Sequence, residues 1–124
     1  MHRRGYFSRR NGEYAITRVG RRIVERERLW SLTIPTPKTH DGLWRVLVFD
    51  IPAEKARVRF AFIRHLQRLG LQFYQRSVWV HPYPFENEVK EIADAYGILP
   101  HLSFITAAEI DGARMLKKRF HLKS

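Results

Sequence analysis

The apolar pattern turns on one stretch, Trp44-Arg45-Val46-Leu47-Val48-Phe49-Asp50-Ile51-Pro52. Val46 to Phe49 is a short, β-branched-rich run, the signature of a strand buried on both faces. Pro52 cannot continue its hydrogen-bond ladder. Beyond it, Val58, Phe62, Leu66 and Leu69 recur at helical spacing, which predicts a helix over 53–69 with Arg57, Ala61, Arg64 and Arg68 on the opposite face. Gly70 stands where a C-cap belongs. Leu71 to Gln75 and Ser77 to His81 read as two strands broken near Gln75-Arg76, closed by Pro82 and Pro84. A second stripe of Val89, Ile92, Ala93 and Tyr96 predicts a helix over 85–96, ended by Gly97. His101 to Ala107 is a fourth strand, and Asp111 is placed to cap a last short helix holding Met115, Leu116 and Phe120.

The first forty residues follow another pattern. Tyr6 to Arg10 and Glu13 to Ile16 flank Asn11-Gly12, a strong hairpin signal because both residues tolerate the positive φ of a type I′ turn. Thr17 is a candidate N-cap for a helix running to about Trp30, with Val19 and Ile23 on one side and arginines elsewhere. Residues 31–42 hold Pro35 and Pro37 without periodicity and read as a linker. The division is therefore a hairpin-helix arm (1–30), a linker (31–42) and a main domain (43–124).

The main domain's order, β-α-β-β-α-β, specifies an α+β class: a ferredoxin-like split βαβ with both helices on one face of a four-stranded antiparallel sheet. The other sheet face needs a cover, and a second copy of the chain is the economical choice, which makes a homodimer the expectation.

Charge narrows the function. The net charge is +11. Residues 1–40 carry 10 Lys/Arg against 3 Glu, and residues 41–124 carry 13 against 9. The excess is mostly arginine, whose planar fork suits phosphate, so nucleic acid is the favoured partner, DNA ahead of RNA. There is no cysteine, which excludes disulfides, thiolate metal sites and Cys nucleophiles and fits a cytoplasmic location. No apolar run reaches membrane-spanning length, and no apolar segment follows the basic start as in a signal peptide. The six histidines lack metal-ligand spacing.

Candidate phosphate-binding residues are Arg9, Arg10, Arg18, Arg21 and Arg22 in the arm and Arg57, Arg64 and Arg68 on the first domain helix. Phe73, Tyr74 and Trp79 could stack on bases, but aromatic residues on strands more often pack in a core or a dimer interface. Asp50 ends the central strand, and there a carboxylate is either a helix-capping device or a site. Antiparallel pairing puts Arg76 and Ser77 near Asp50 and His81 at the far end of the sheet, so no Asp50–His81 pair is expected. One carboxylate is too little for a Mg²⁺ or Mn²⁺ site, and no cofactor is required by the pattern.

Taken together, Trp44 to Pro52, Arg59, Leu69-Gly70-Leu71 and Gln75 to Pro84 resemble the Cas-two-like domain of the PaaX (phenylacetate-operon repressor) group over about residues 40–122. Tyr14-x-Ile16-Thr17-x-x-Gly20 resembles the wing and following helix of a winged-helix domain, which precedes this domain in that group; a plain basic arm is the alternative. The resemblance implies a DNA-binding transcriptional regulator without catalysis. The wider family includes CRISPR-associated, ferredoxin-like homodimers, in which the acid ending the first strand serves a metal-dependent endonuclease. By that likeness Asp50 from two subunits would hold the ion. A structural dimeric hub bridging partner proteins is the third implication.

Overall fold

The computed structural model describes residues 7–10, 13–16 and 27–122. The chain divides into two compact units, residues 1–32 and 33–124. In the first, β1 (Phe7–Arg10) and β2 (Glu13–Ile16) pair antiparallel with Arg10 opposite Glu13, which leaves Asn11-Gly12 as the two-residue connection. Residues 27–31 are helical. Thr17, Arg18, Arg21 and Arg22, and most of the helix expected there, lie outside the described residues.

In the second unit, β3 (Trp44–Phe49) is followed by a 3-10 turn (Ala53–Lys55) and α1 (Ala56–Leu69). Then come β4 (Gln72–Gln75), β5 (Val78–His81), α2 (Glu86–Ala95), β6 (Leu102–Ala107) and α3 (Ala113–Arg119). The sheet order is β4-β5-β3-β6 with every pairing antiparallel, so β3 is a central strand. Its apolar run is explained by that position: both neighbours are paired and both faces are covered.

Strand alternation sorts the two faces. Phe49 meets Phe62 of α1 edge-on at 5.5 Å. Phe104, which pairs with Leu47, meets Phe85 at the start of α2 at 6.1 Å. Leu47, Phe49 and Phe104 share a face, so α1 and α2 lie on the same side of the sheet. Phe62, Leu66, Leu69, Val89, Ile92 and Ala93 are buried there. The stripe read from the sequence is shifted slightly: His65 is buried and Val58 only half-buried. His65 escapes the cost of polar burial by a 3.0 Å hydrogen bond to the Tyr96 hydroxyl. Gly70 closes α1 with φ of 96°, and Leu71 N–H reaches back to the Leu66 carbonyl at 3.0 Å, a Schellman-type end.

The opposite face carries Trp44, Val46 and Val80, and its cover comes from the chain itself. Leu116 of α3 is buried against these three residues, and Ile110, Ala113, Phe120 and Leu122 pack around them. Part of the face for which a second copy is the economical cover is thus covered by a seven-residue amphipathic helix, over the Trp44–Val46 end. Ile105, which pairs with Val46, stays 48% exposed at the rim. Asp111 does not cap α3. The N-cap position is Gly112 with φ of 80°, and no side chain caps the helix. Asp111 instead offers its backbone carbonyl to the Tyr74 hydroxyl at 2.9 Å.

Residues 33–42 belong to the second unit. Polar contacts, which a reading of hydrophobic period overlooks, fix the end of this run. Asp41 receives both guanidinium nitrogens of Arg45 (2.9 and 2.6 Å) and the Leu43 N–H (2.9 Å), and Arg45 also donates to the Pro82 carbonyl at 2.8 Å. The bidentate fork holds the Asp41 carboxyl down at a pKa of about 2, the bond to Arg45 being the main cause.

Candidate functional site

Three regions can bear chemistry: the Asp50 end of the sheet, the outer face of α1, and a groove beside α3. Asp50 directly follows β3. Its N–H donates to the His101 carbonyl at 2.9 Å, and the preceding Phe49 N–H donates to the Ser77 carbonyl at 3.0 Å. The β4–β5 turn, Arg76-Ser77, thus lies beside this end, as the antiparallel pairing requires. Ser77 takes a left-handed conformation (φ 62°) to close the two-residue connection, and Arg76 is exposed at its tip. His81 pairs with Arg45 at the other end of the sheet.

The carboxylate of Asp50 is exposed, and no side chain caps either the turn at Ala53–Lys55 or α1. The capping role considered for Asp50 is thereby overturned. The reason is spacing: Ile51 and Pro52 intervene, so Pro52 and Lys55 occupy the two cap positions. Nor does one chain assemble a divalent-ion site here. Among the described residues no three His, Asp or Glu side chains gather to hold a metal.

The outer face of α1 is strongly cationic. The helix holds Arg57, Arg59, Arg64 and Arg68 and no acidic residue. Arg57, Arg64 and Arg68 are exposed, and no ion pair among the described residues involves them. Arg59 is half-buried, its guanidinium 5.8 Å from the centre of the Phe49 ring. Position within the helix carries information. Arg57 lies in the first turn, where the macrodipole opposes a cation by about 0.3–1 kcal/mol. Lys117, Lys118 and Arg119 lie in the last turn of α3, where the dipole favours them. Helix stability thus accounts for the charges of α3 and not for Arg57.

Phe60, 60% exposed, adjoins the arginine stripe. It stands three residues after Arg57 and four before Arg64, so its ring neighbours both on the helix surface. The aromatic residues singled out from the sequence for stacking fare differently. Trp79 is buried, Tyr74 packs against the Trp44–Leu116 cluster, and Phe73 is 53% exposed with its ring edge-on to Trp79 at 5.7 Å. Phe60 escaped notice because periodicity marks an apolar residue only when it falls in the buried stripe.

Of the arm residues, Arg9 and Arg10 sit on β1 opposite Tyr14 and Glu13. The groove, about 1240 Å³, is walled by Lys38 and His40, by Trp44 and Tyr83, and by Lys117 and His121 near the C-terminal end. Three distant segments build it, so no contiguous motif announces it. Its rim also carries Glu109 and Asp111, and this mixed charge selects neither anions nor cations.

Residues 37–118 match the family described as the PaaX protein central Cas2-like domain. The chain belongs to that family. The match spans the whole sheet, α1, α2 and nearly all of α3, so the central Cas2-like domain holds both Asp50 and the arginine face. No curated protein matches the chain in sequence. No helix among the described residues is long and apolar enough to cross a membrane.

Proposed function

We propose that this protein is a cytoplasmic, homodimeric nucleic-acid-binding regulator of the PaaX type, acting on DNA and without catalysis of its own. Membership of the family suggests a transcriptional regulator. The observation that carries the binding role is the acid-free α1 face, whose Arg57, Arg64 and Arg68 are exposed, have no ion-pair partner among the described residues and, at Arg57, run against the helix dipole. Such a face gives salt-dependent contact with phosphates and little sequence information. The sheet order β4-β5-β3-β6 supports a ferredoxin-like reading of the domain. The hairpin β1–β2, with Arg9 and Arg10 near its tip, supports a wing-like arm as a second contact. The exposed Ile105 edge is the surface we assign to the partner subunit.

A second reading rests on Asp50. Because its carboxylate caps nothing, it is free to act with Asp50 of another copy on a Mg²⁺ or Mn²⁺ ion, which would polarise a phosphate or activate water for strand cleavage. Incubating end-labelled duplex DNA and RNA with wild type and Asp50→Asn, with and without either metal, separates the readings. The regulator reading expects retarded, uncut nucleic acid in every lane. Metal-dependent cleavage by wild type alone would replace it with the endonuclease. No retardation at low salt would leave the dimeric hub.

A further inference from the structure

The exposed ring of Phe60 lies on the face that the preceding reading assigns to phosphate, and no aromatic ring pair among the described residues involves it. Arg57 and Arg64, on either side, are seven residues apart, about 10.5 Å along the axis at 1.5 Å per residue. Gln67 and Arg68 continue the exposed surface one turn further. A lone exposed apolar side chain is ordinary on a protein surface, so it is the place of Phe60 among arginines that carries information. Between guanidinium groups, a flat ring is the arrangement that single-stranded nucleic acid rewards: cations follow the backbone while the ring takes an unpaired base. A closed duplex would reach only the arginines, since its bases are already stacked.

We infer that Phe60, with Arg57 and Arg64, forms a stacking site for an unpaired base, so that this face of α1 prefers single-stranded or locally opened nucleic acid over closed duplex. The inference rests on the nucleic-acid reading above and names the state of the strand recognised. The charge on either side of the ring decides for nucleic acid over an apolar protein surface, because a protein partner would need an acidic patch around its apolar contact.

The test is fluorescence anisotropy of the full chain with two labelled probes, a 20-nucleotide oligothymidylate and a mixed-sequence duplex of 20 base pairs. Wild type, Phe60→Ala, Phe60→Tyr and Arg64→Gln are compared, with the mass of each determined by sedimentation. Phe60→Ala is expected to weaken single-strand binding about tenfold or more while changing duplex binding less than twofold. Phe60→Tyr, which keeps the ring, should bind like wild type. Arg64→Gln should weaken both probes and lower the salt slope by about one. Equal losses on both probes, or none, overturn the stacking site while leaving nucleic-acid binding intact. A change in oligomeric mass with Phe60→Ala would make the ring a subunit contact and overturn it as well. Failure of wild type to bind either probe at low salt would sink both readings. Since Phe60 is exposed, the substitution should leave the unfolding midpoint unchanged.

Discussion

Acidification should loosen the second unit through His81, and the size of the effect follows from its surroundings. The imidazole is buried at the end of β5, edge-on to Phe120 at 5.2 Å and near Phe85 at 6.3 Å. Its Nδ1 lies 3.1 Å from the Tyr83 N–H, which donates to it in the neutral ring, and 3.3 Å from the Tyr83 carbonyl, which accepts from it when Nδ1 carries a proton. Burial is the largest influence on its pKa, followed by the Tyr83 backbone, which works the other way, and by the Arg45 charge; together they bring it from 6.5 to about 4. The unfolded chain therefore binds more protons than the folded one between these values. The stabilisation is complete above pH 6.5 and is lost as pH falls towards 4. With 1.36 kcal/mol per pH unit, a gap of about 2.5 units bounds the effect near 3 kcal/mol, of which about 2 should disappear between pH 7 and pH 5. Burial also lowers the pKa of His65, so its contribution has the same sign. Urea unfolding at pH 7 and pH 5 measures the loss, and His81→Gln isolates it, since its stability should fall by about 2 kcal/mol less over the same interval. A variant that keeps the wild-type pH slope would refute the assignment. The readout is local too: His81 touches Phe120, whose ring lies 6.1 Å from that of Trp44, so protonation should weaken the seating of α3 before the sheet opens.

Two further substitutions test the packing and the Asp50 end. Leu116→Ala removes the buried anchor of α3 and should cost about 2–3 kcal/mol in urea unfolding, the lower part of the range for buried leucines because the short helix can settle into the space. An unchanged midpoint would mean that α3 does not seal the Trp44 face. Asp50→Asn should alter stability by no more than about 0.5 kcal/mol, since the carboxylate caps nothing, whereas a lost N-cap would cost about 1 kcal/mol in the same assay.

The sequence held much of this domain where local rules decide the outcome. Gly70 and Gly97 mark helix ends and the Val46–Phe49 run marks a central strand, each through a backbone or burial requirement satisfied within a few residues, and the strands read on either side of Asn11-Gly12 do pair antiparallel. What the sequence concealed depends on contacts between distant segments. Arg45 reaches both Asp41 and the Pro82 carbonyl, so a proline-containing run becomes part of the domain. Leu116 meets Trp44 and Val80 across the sheet, so the chain covers a face that strand order alone leaves bare. At the candidate site, Asp50 was visible as the residue ending β3, but its lack of capping bonds depends on where the turn at Ala53–Lys55 begins. The arginine stripe of α1 was legible at 3.6-residue spacing; Phe60, off the apolar stripe, acquires meaning only once its exposure is known.

The central claim is that the arginine face of α1 holds nucleic acid. It is tested most directly by the salt dependence of binding of the full chain to a labelled 20-base-pair duplex, for wild type and for Arg57→Gln/Arg64→Gln/Arg68→Gln together. If all three arginines contact phosphate, the triple variant should lose affinity and its slope of log K against log salt should be shallower by about 2.7, at 0.9 per contact. A wild-type slope retained by the triple variant would contradict the claim and leave the hairpin arm to carry the binding.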